Sequence, residues 1–166
     1  MSWFKRIFGK DDEQQPSGGY KQGTAIVEMR NLNYSPKVII AWCKAIEGNI
    51  DFGAFLLNNG FEELFYASQA IRLKQEARDW LMKNGYPHLM AMVNASEGNE
   101  SALNWLRLHD FEIMYHIANA VESEMESFAW LKANATEDLF LLASTIKRVK
   151  DEIEQNHNDV HSFGRD

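Results

Sequence analysis

Five histidines, His88, His109, His116, His157 and His161, are the side chains of this chain best suited to acid–base work or metal ligation. His157 and His161 stand four apart, a spacing that on a helix puts two ligands on one face. No third ligand follows at a matching interval, and the polar stretch around them reads as a solvated tail. His109 occupies the place that Asn59, Asn84 and Asn134 occupy in neighbouring stretches, so a polar helix end is expected there. His88, directly after Pro87, reads as a surface residue at a helix start. His116 remains, and with Tyr66 and Glu112 it forms the centre of the one enzymatic reading the residues offer.

Carboxylates in pairs raise the same question. Glu62 with Glu63, Glu122 with Glu124 and Glu126, and Asp151 with Glu152 could serve as acid and base only if they converged in a cleft with shifted pKa values. Nothing in their spacing argues for that, and they are expected to be solvated helix positions, where Glu in a first turn also favours the helix dipole. A Gly-rich phosphate loop, a nucleophile elbow and a paired-cysteine metal motif are all missing from the sequence. The expectation is therefore a protein with no catalytic residues, no metal and no cofactor.

The elements that carry these residues recur. Phe55-Leu56, Trp80-Leu81, Trp105-Leu106 and Trp130-Leu131 each restart 25 residues after the one before, and the segments that follow keep their apolar columns while the polar residues drift. In one unit Ala102, Leu103, Trp105 and Leu106 make one buried helical face. The chain breaks near His109-Asp110, as it does at Asn59-Gly60 and Asn84-Gly85, where Asn or Gly suits a left-handed helix end. A second helix then carries Met114, Ile117, Ala118 and Val121 at i, i+3, i+4 and i+7. Gly48-Asn49 and Gly98-Asn99 turn the chain back into the next unit. Each unit is thus two short antiparallel helices, and neither is long enough to be stable alone in water. Phe55, Trp80, Trp105 and Trp130 are expected to stitch the layers together. Ser35-Pro36 predicts the start of a helix bearing Ile39, Trp42, Cys43 and Ile46, one second-helix ahead of the first Trp-Leu-type pair.

Bulk composition narrows the partners. A net charge of −7 argues against binding driven by a nucleic-acid backbone and makes a basic or neutral partner easier to accommodate. The single cysteine, Cys43, lies on an apolar stripe and predicts a core thiol in a reducing compartment. No apolar run is long enough to span a membrane, and no secretory signal is evident, so a cytoplasmic protein is expected. The chain divides into a short amphipathic segment at 1–10, a flexible linker at 11–23, a helical-repeat domain at 24–156 and a disordered tail at 157–166. In the first of these Trp3, Phe4, Ile7 and Phe8 fall on one side with Lys5, Arg6 and Lys10 between and after them, a pattern suited to weak contact with a membrane surface. Asp11, Asp12 and Glu13 oppose that contact.

Repeated helix pairs with persistent apolar columns resemble the α-solenoids, the class that includes HEAT, armadillo, tetratricopeptide and ankyrin arrays, in organisation only. The resemblance implies an all-α, right-handed α-α superhelix of about four to five short helix-turn-helix repeats, ending in a polar cap near 148–156, and a curved scaffold that holds a partner. At 100° per residue, the second helices turn Leu64, Ala67, Ser68 and Ile71 toward the first helices and leave Glu62, Tyr66 and Gln69 on the far side. Down the stack that face adds Asn94, then Glu112, His116 and Asn119, then Glu137. These eight residues are the expected binding surface for a protein or peptide partner, as in an adaptor, an inhibitor or an immunity protein. A membrane-peripheral structural protein tethered by residues 3–10 is the alternative.

Overall fold

The short helices and the turns between them come out at the repeat's own interval. The computed structural model describes residues 32–162, with side chains through residue 159. The segment at 1–10 with Trp3, Phe4, Ile7 and Phe8, the linker and the expected start of the repeat domain lie outside the described residues. Among the described residues there are nine α-helices: α1 (Pro36–Ile46), α2 (Ile50–Asn58), α3 (Glu62–Ile71), α4 (Gln75–Lys83), α5 (Pro87–Ala95), α6 (Glu100–Leu108), α7 (Glu112–Val121), α8 (Met125–Asn134) and α9 (Glu137–Ser162). Among the described residues there is no strand.

Local chemistry explains where the helices begin and end. Ser35 accepts a hydrogen bond from the backbone of Val38 and Pro36 opens α1, as its sequence predicts. Asn49 and Asn99 cap α2 and α6 in the same manner. Each odd-numbered helix up to α7 closes on a left-handed residue, Gly48, Leu73, Gly98 and Ser123, one repeat apart. At the other turn Gly60, Gly85 and Asp110 are left-handed too. Asn59 and Asn84, just before the two glycines, and Asn134, before the extended Ala135, donate from their side chains to the carbonyls of Phe55, Trp80 and Trp130 at 2.7, 2.8 and 2.9 Å. His109 does the work of the asparagines, with Nδ1 2.9 Å from the Trp105 carbonyl. A carbonyl only accepts, so this nitrogen carries the proton.

The odd-numbered helices form an inner layer and the even-numbered ones an outer layer. Each outer helix packs on the two inner helices that flank it in sequence. Every inner helix also packs on the next, α1 on α3, α3 on α5, α5 on α7 and α7 on α9. These consecutive contacts are the solenoid-like arrangement that the repeat predicts. One further contact goes beyond it: α9 also packs along α1, so the first and last inner helices meet and the five close into a ring. Arg148 pairs with Glu47 across this seam, and Thr145 of α9 lies beside the Cys43 thiol of α1. Burial pushes that thiol up to about 11, with Thr145 partly opposing, so Cys43 stays protonated.

The core follows the predicted columns. Ile39, Leu64, Leu89, Met114 and Leu139 occupy one position of successive inner helices, Trp42, Ala67, Met92, Ile117 and Leu142 the next turn, and all are buried. The outer helices depart from expectation in one respect. Leu56, Leu81, Leu106 and Leu131 are fully buried, whereas Phe55, Trp80, Trp105 and Trp130 are only half-buried. Adjacent residues lie 100° apart on a helix, so the pair cannot share the inward direction, and the leucines are the main stitches while the aromatic rings lie along the seams.

The C-terminal end also differs. The left-handed residue of each earlier repeat would recur at Arg148, but Arg148 is helical and α9 runs 26 residues to Ser162. The i,i+4 pairs Lys147–Asp151 and Arg148–Glu152 support this continuation. The polar cap expected at 148–156 is therefore the outer part of a longer helix, with Val149 buried and Ile153 packed against the core. Replacing Leu106 with Ala should lower the unfolding free energy in urea by about 2–5 kcal/mol. The same change at Leu108, which is 75% exposed, should alter it by no more than about 0.5 kcal/mol.

Candidate functional site

The outward side of the inner helices is where the predicted surface lies, and the outer helices cover part of it. Glu62, Glu112 and Glu137 are exposed in the first turns of α3, α7 and α9. Tyr66, Gln69, Asn94, His116 and Asn119 are half-buried. The eight residues are spread over α3, α5, α7 and α9 and do not form one cleft. Nor do Tyr66 and His116 face open solvent, since each is stacked on the Trp of the outer helix that follows. Tyr66 lies 4.0 Å from Trp80 between ring centroids, and His116 lies 3.9 Å from Trp130. Asn94 accepts from Arg78 at 3.4 Å.

Two of the predicted residues do come together with others. Glu112 and His116 line a cavity of about 340 Å³ with Arg107 from the end of α6, Asp110 from the turn, and Tyr115. The left-handed Asp110 bends the chain so that α6 and α7 both contribute to it. His116 Nδ1 lies 3.1 Å from Ser127 Oγ on α8, which together with the Trp130 stack fixes the imidazole ring. Tyr115 meets it edge-on at 5.1 Å. Burial lowers the His116 pKa, with Glu112 one turn earlier pulling the other way, so the ring is neutral at pH 7. Such a site presents a guanidinium, two carboxylates, a phenol and a neutral imidazole, a mixture suited to a charged, hydrogen-bonding peptide group. The Ser127–His116 pair has the atoms of a nucleophile and its base, but Ser127 is buried. Among the described residues no group of three or more His, Cys, Asp or Glu side chains gathers to hold a metal, and no helix is long and apolar enough to cross a membrane.

A second polar cluster lies inside the ring, where solvated positions are expected. Glu63 is fully buried, and Tyr34 donates to its Oε1 at 3.0 Å. His88 is fully buried as well, stacked on Phe111 at 5.4 Å and tilted against Tyr86. Glu63 Oε2, both His88 ring nitrogens and Trp42 Nε1 have no hydrogen-bond partner among the described residues. The surface readings of His88 and Glu63 are corrected by one fact: the two hold the same column as Val38, an apolar position one repeat earlier. Reading that column downward would have exposed both. Burial raises the Glu63 carboxyl well above its ordinary range and lowers His88 to about 3. The Tyr34 hydroxyl is also raised, by burial and then by Glu63. Arg107, Asp110, Tyr115 and Ser127 were invisible as site residues, because helix spacing within one element does not show which turn lies beside it.

No protein family, curated protein or solved structure matches this chain.

The buried pair makes a prediction with a definite sign. Folded His88 takes up its proton only near pH 3 while the unfolded chain does so near 6.5, so its contribution to stability falls as pH drops through that window. Folded Glu63 keeps a proton that the unfolded chain releases above about 4.5, so its contribution falls as pH rises above that value. Between 4.5 and 6.5 the two slopes oppose. Relative to the parent protein, Glu63→Gln should lose stability on acidification across that interval, by up to about 1.4 kcal/mol per pH unit. His88→Phe should gain it, and urea midpoints at the two pH values give both signs.

Proposed function

We propose that this protein is a non-catalytic helical-repeat scaffold that binds a protein or peptide partner through the exposed edges of its inner helices, with the His116 cavity as the anchoring point. One observation carries this reading: two residues picked out by the repeat pattern, Glu112 and His116, line a pre-formed cavity with Arg107, Asp110 and Tyr115. The stack on Trp130 and the bond to Ser127 hold the imidazole in place before any partner arrives, which lowers the ordering cost of binding. Two carboxylates against one guanidinium at that cavity, in a chain of net charge −7, suit a basic or neutral segment. Burial of Ser127 speaks against a nucleophilic reaction at the Ser127–His116 pair, because attack requires that hydroxyl to reach a substrate.

The test is affinity capture from the native lysate with the parent chain and with a Glu112→Lys, His116→Ala double variant, followed by titration of the captured partner. Helicity by circular dichroism should be unchanged. The partner's affinity for the variant should fall at least tenfold. A partner that binds both proteins equally well would end this assignment.

A further inference from the structure

The end of the ring opposite the Glu63–His88 cluster carries a groove that the function proposed above does not use. It spans about 760 Å³ and is lined by Leu73, Ile153, Glu154, Asn156, His157 and Asn158. Leu73 is unusual on two counts. Its φ of 68° is a left-handed conformation, taken at the equivalent turns by Gly48, Gly98 and Ser123, and its side chain is 53% exposed. A strained turn that presents a large apolar group to water is poorly suited to a purely structural role. Opposite it, Ile153 is the one side chain from 151 to 159 that is not exposed. The last turns of α9 thus lean on the fold through a single apolar contact, although a helix end of that length needs burial to persist in water.

We propose that Trp3, Phe4, Ile7 and Phe8 of this same chain occupy the groove, seated on Leu73 and Ile153. Chemistry and reach both favour this occupant. The four apolar residues are interleaved with Lys5 and Arg6 and followed by Lys10, while Glu154 in the groove is anionic and has no partner among the described residues. Earlier on the same helix Asp151 and Glu152 are already paired with Lys147 and Arg148, which leaves Glu154 as the groove's carboxylate for a cationic segment. The described residues begin at Leu32, beside the start of α1, and the groove lies at the other end of inner helices roughly 15 Å long. Twenty-three residues separate Phe8 from Leu32, among them the run QQPSGGYKQ. A random coil of that many residues has a root-mean-square span of roughly 25–30 Å, more than the length of an inner helix, so chain length permits the segment to reach the groove at millimolar effective concentration.

Hydrogen exchange on the full-length protein tests the assignment. Changing Trp3, Phe4, Ile7 and Phe8 together to Ser should speed exchange of the amides at 150–159 at least tenfold. Leu73→Asp should do the same, and combining the two sets should add nothing further. A Lys10→Cys, Glu154→Cys variant should close an intramolecular disulfide on mild oxidation. Unchanged exchange in the serine variant overturns the proposal. So does a disulfide formed only between molecules, which would assign the groove to a second copy. Pelleting with phosphatidylserine vesicles, with exchange at 150–159 the same in the parent and serine chains, would assign residues 3–8 to a membrane surface and overturn it equally.

Discussion

The contact between α1 and α9 is the constraint on which this architecture rests. A helix of nine or ten residues does not persist alone in water, so each inner helix must bury two flanks as well as its outer side. In an open stack the first and last helices each lack one neighbour, and terminal caps with polar faces answer that need. Here α1 supplies Trp42, Cys43 and Ile46 and α9 supplies Leu142, Thr145, Ile146 and Val149, and both elements are covered because each becomes the other's neighbour. Charges gather at the same end. Glu97 pairs with Arg78 and Lys150, and Glu47 pairs with Lys44 and Arg148. Burial opposes ionisation of Glu97, yet the bonds from Arg78 and Lys150 prevail and hold its carboxyl below the usual range. Burial lowers Lys150 by more than Glu97 restores. Such pairs contribute little net stability when part-exposed, so the apolar seam closes the ring and the charges fix its register.

Much of this was legible in the repeat. The interval located all four outer helices, the turns at Asn59-Gly60 and Asn84-Gly85, and the start at Ser35-Pro36, because caps, left-handed residues and apolar periodicity are local properties. Closure was not legible. Residues that meet across the α1–α9 seam are apolar like every other inner-helix residue, and nothing in their type distinguishes the neighbour next in sequence from one a hundred residues away. The overrun of α9 did leave a trace. Arg148 replaces the Gly, Leu, Gly and Ser of the earlier turns, and Val149 and Ile153 continue an apolar stripe through a segment whose polar residues suggest a cap.

The candidate face shows the same limit more finely. A helical wheel places Tyr66 and His116 on one side of their helices, but it does not say what covers that side. The answer is an aromatic residue fourteen positions later, and the drift of the column becomes intelligible against it. Where the inner position is a flat ring, as at Tyr66 and His116, the Trp of the next helix stacks on it. Where it is Ala91, Trp105 stacks instead on His109 and Phe111. The variable residues are therefore not decoration on a constant scaffold. They decide which ring surfaces are consumed inside the fold and which edges remain for a partner.

Glu63 and His88 mark where the repeat is broken at a cost. Val38 fills the same position with a methyl-bearing side chain, whereas an uncharged carboxyl and an uncharged imidazole there leave hydrogen-bonding atoms unmatched, at roughly 1–3 kcal/mol each. A ring of identical units would put the same apolar residue at every station; Glu63, His88 and Asp138 depart from that, and the two of them that are fully buried stand in consecutive inner helices, next to Tyr34 and the chain that enters from residue 32. Tyr34 satisfies one oxygen of Glu63 and packs edge-on against Phe61, so the incoming chain is tied to the ring at its most polar interior point. At that end Tyr34 donates to Glu63, a bond that favours the ionised carboxyl, and complete burial outweighs it and raises the Glu63 pKa. The other end relies on ion pairs, which hold only while Glu47 and Glu97 have lost their protons. The carboxylates at the two ends of the ring are thus shifted in opposite directions, Glu63 upward by complete burial and Glu47 and Glu97 downward by their cationic partners.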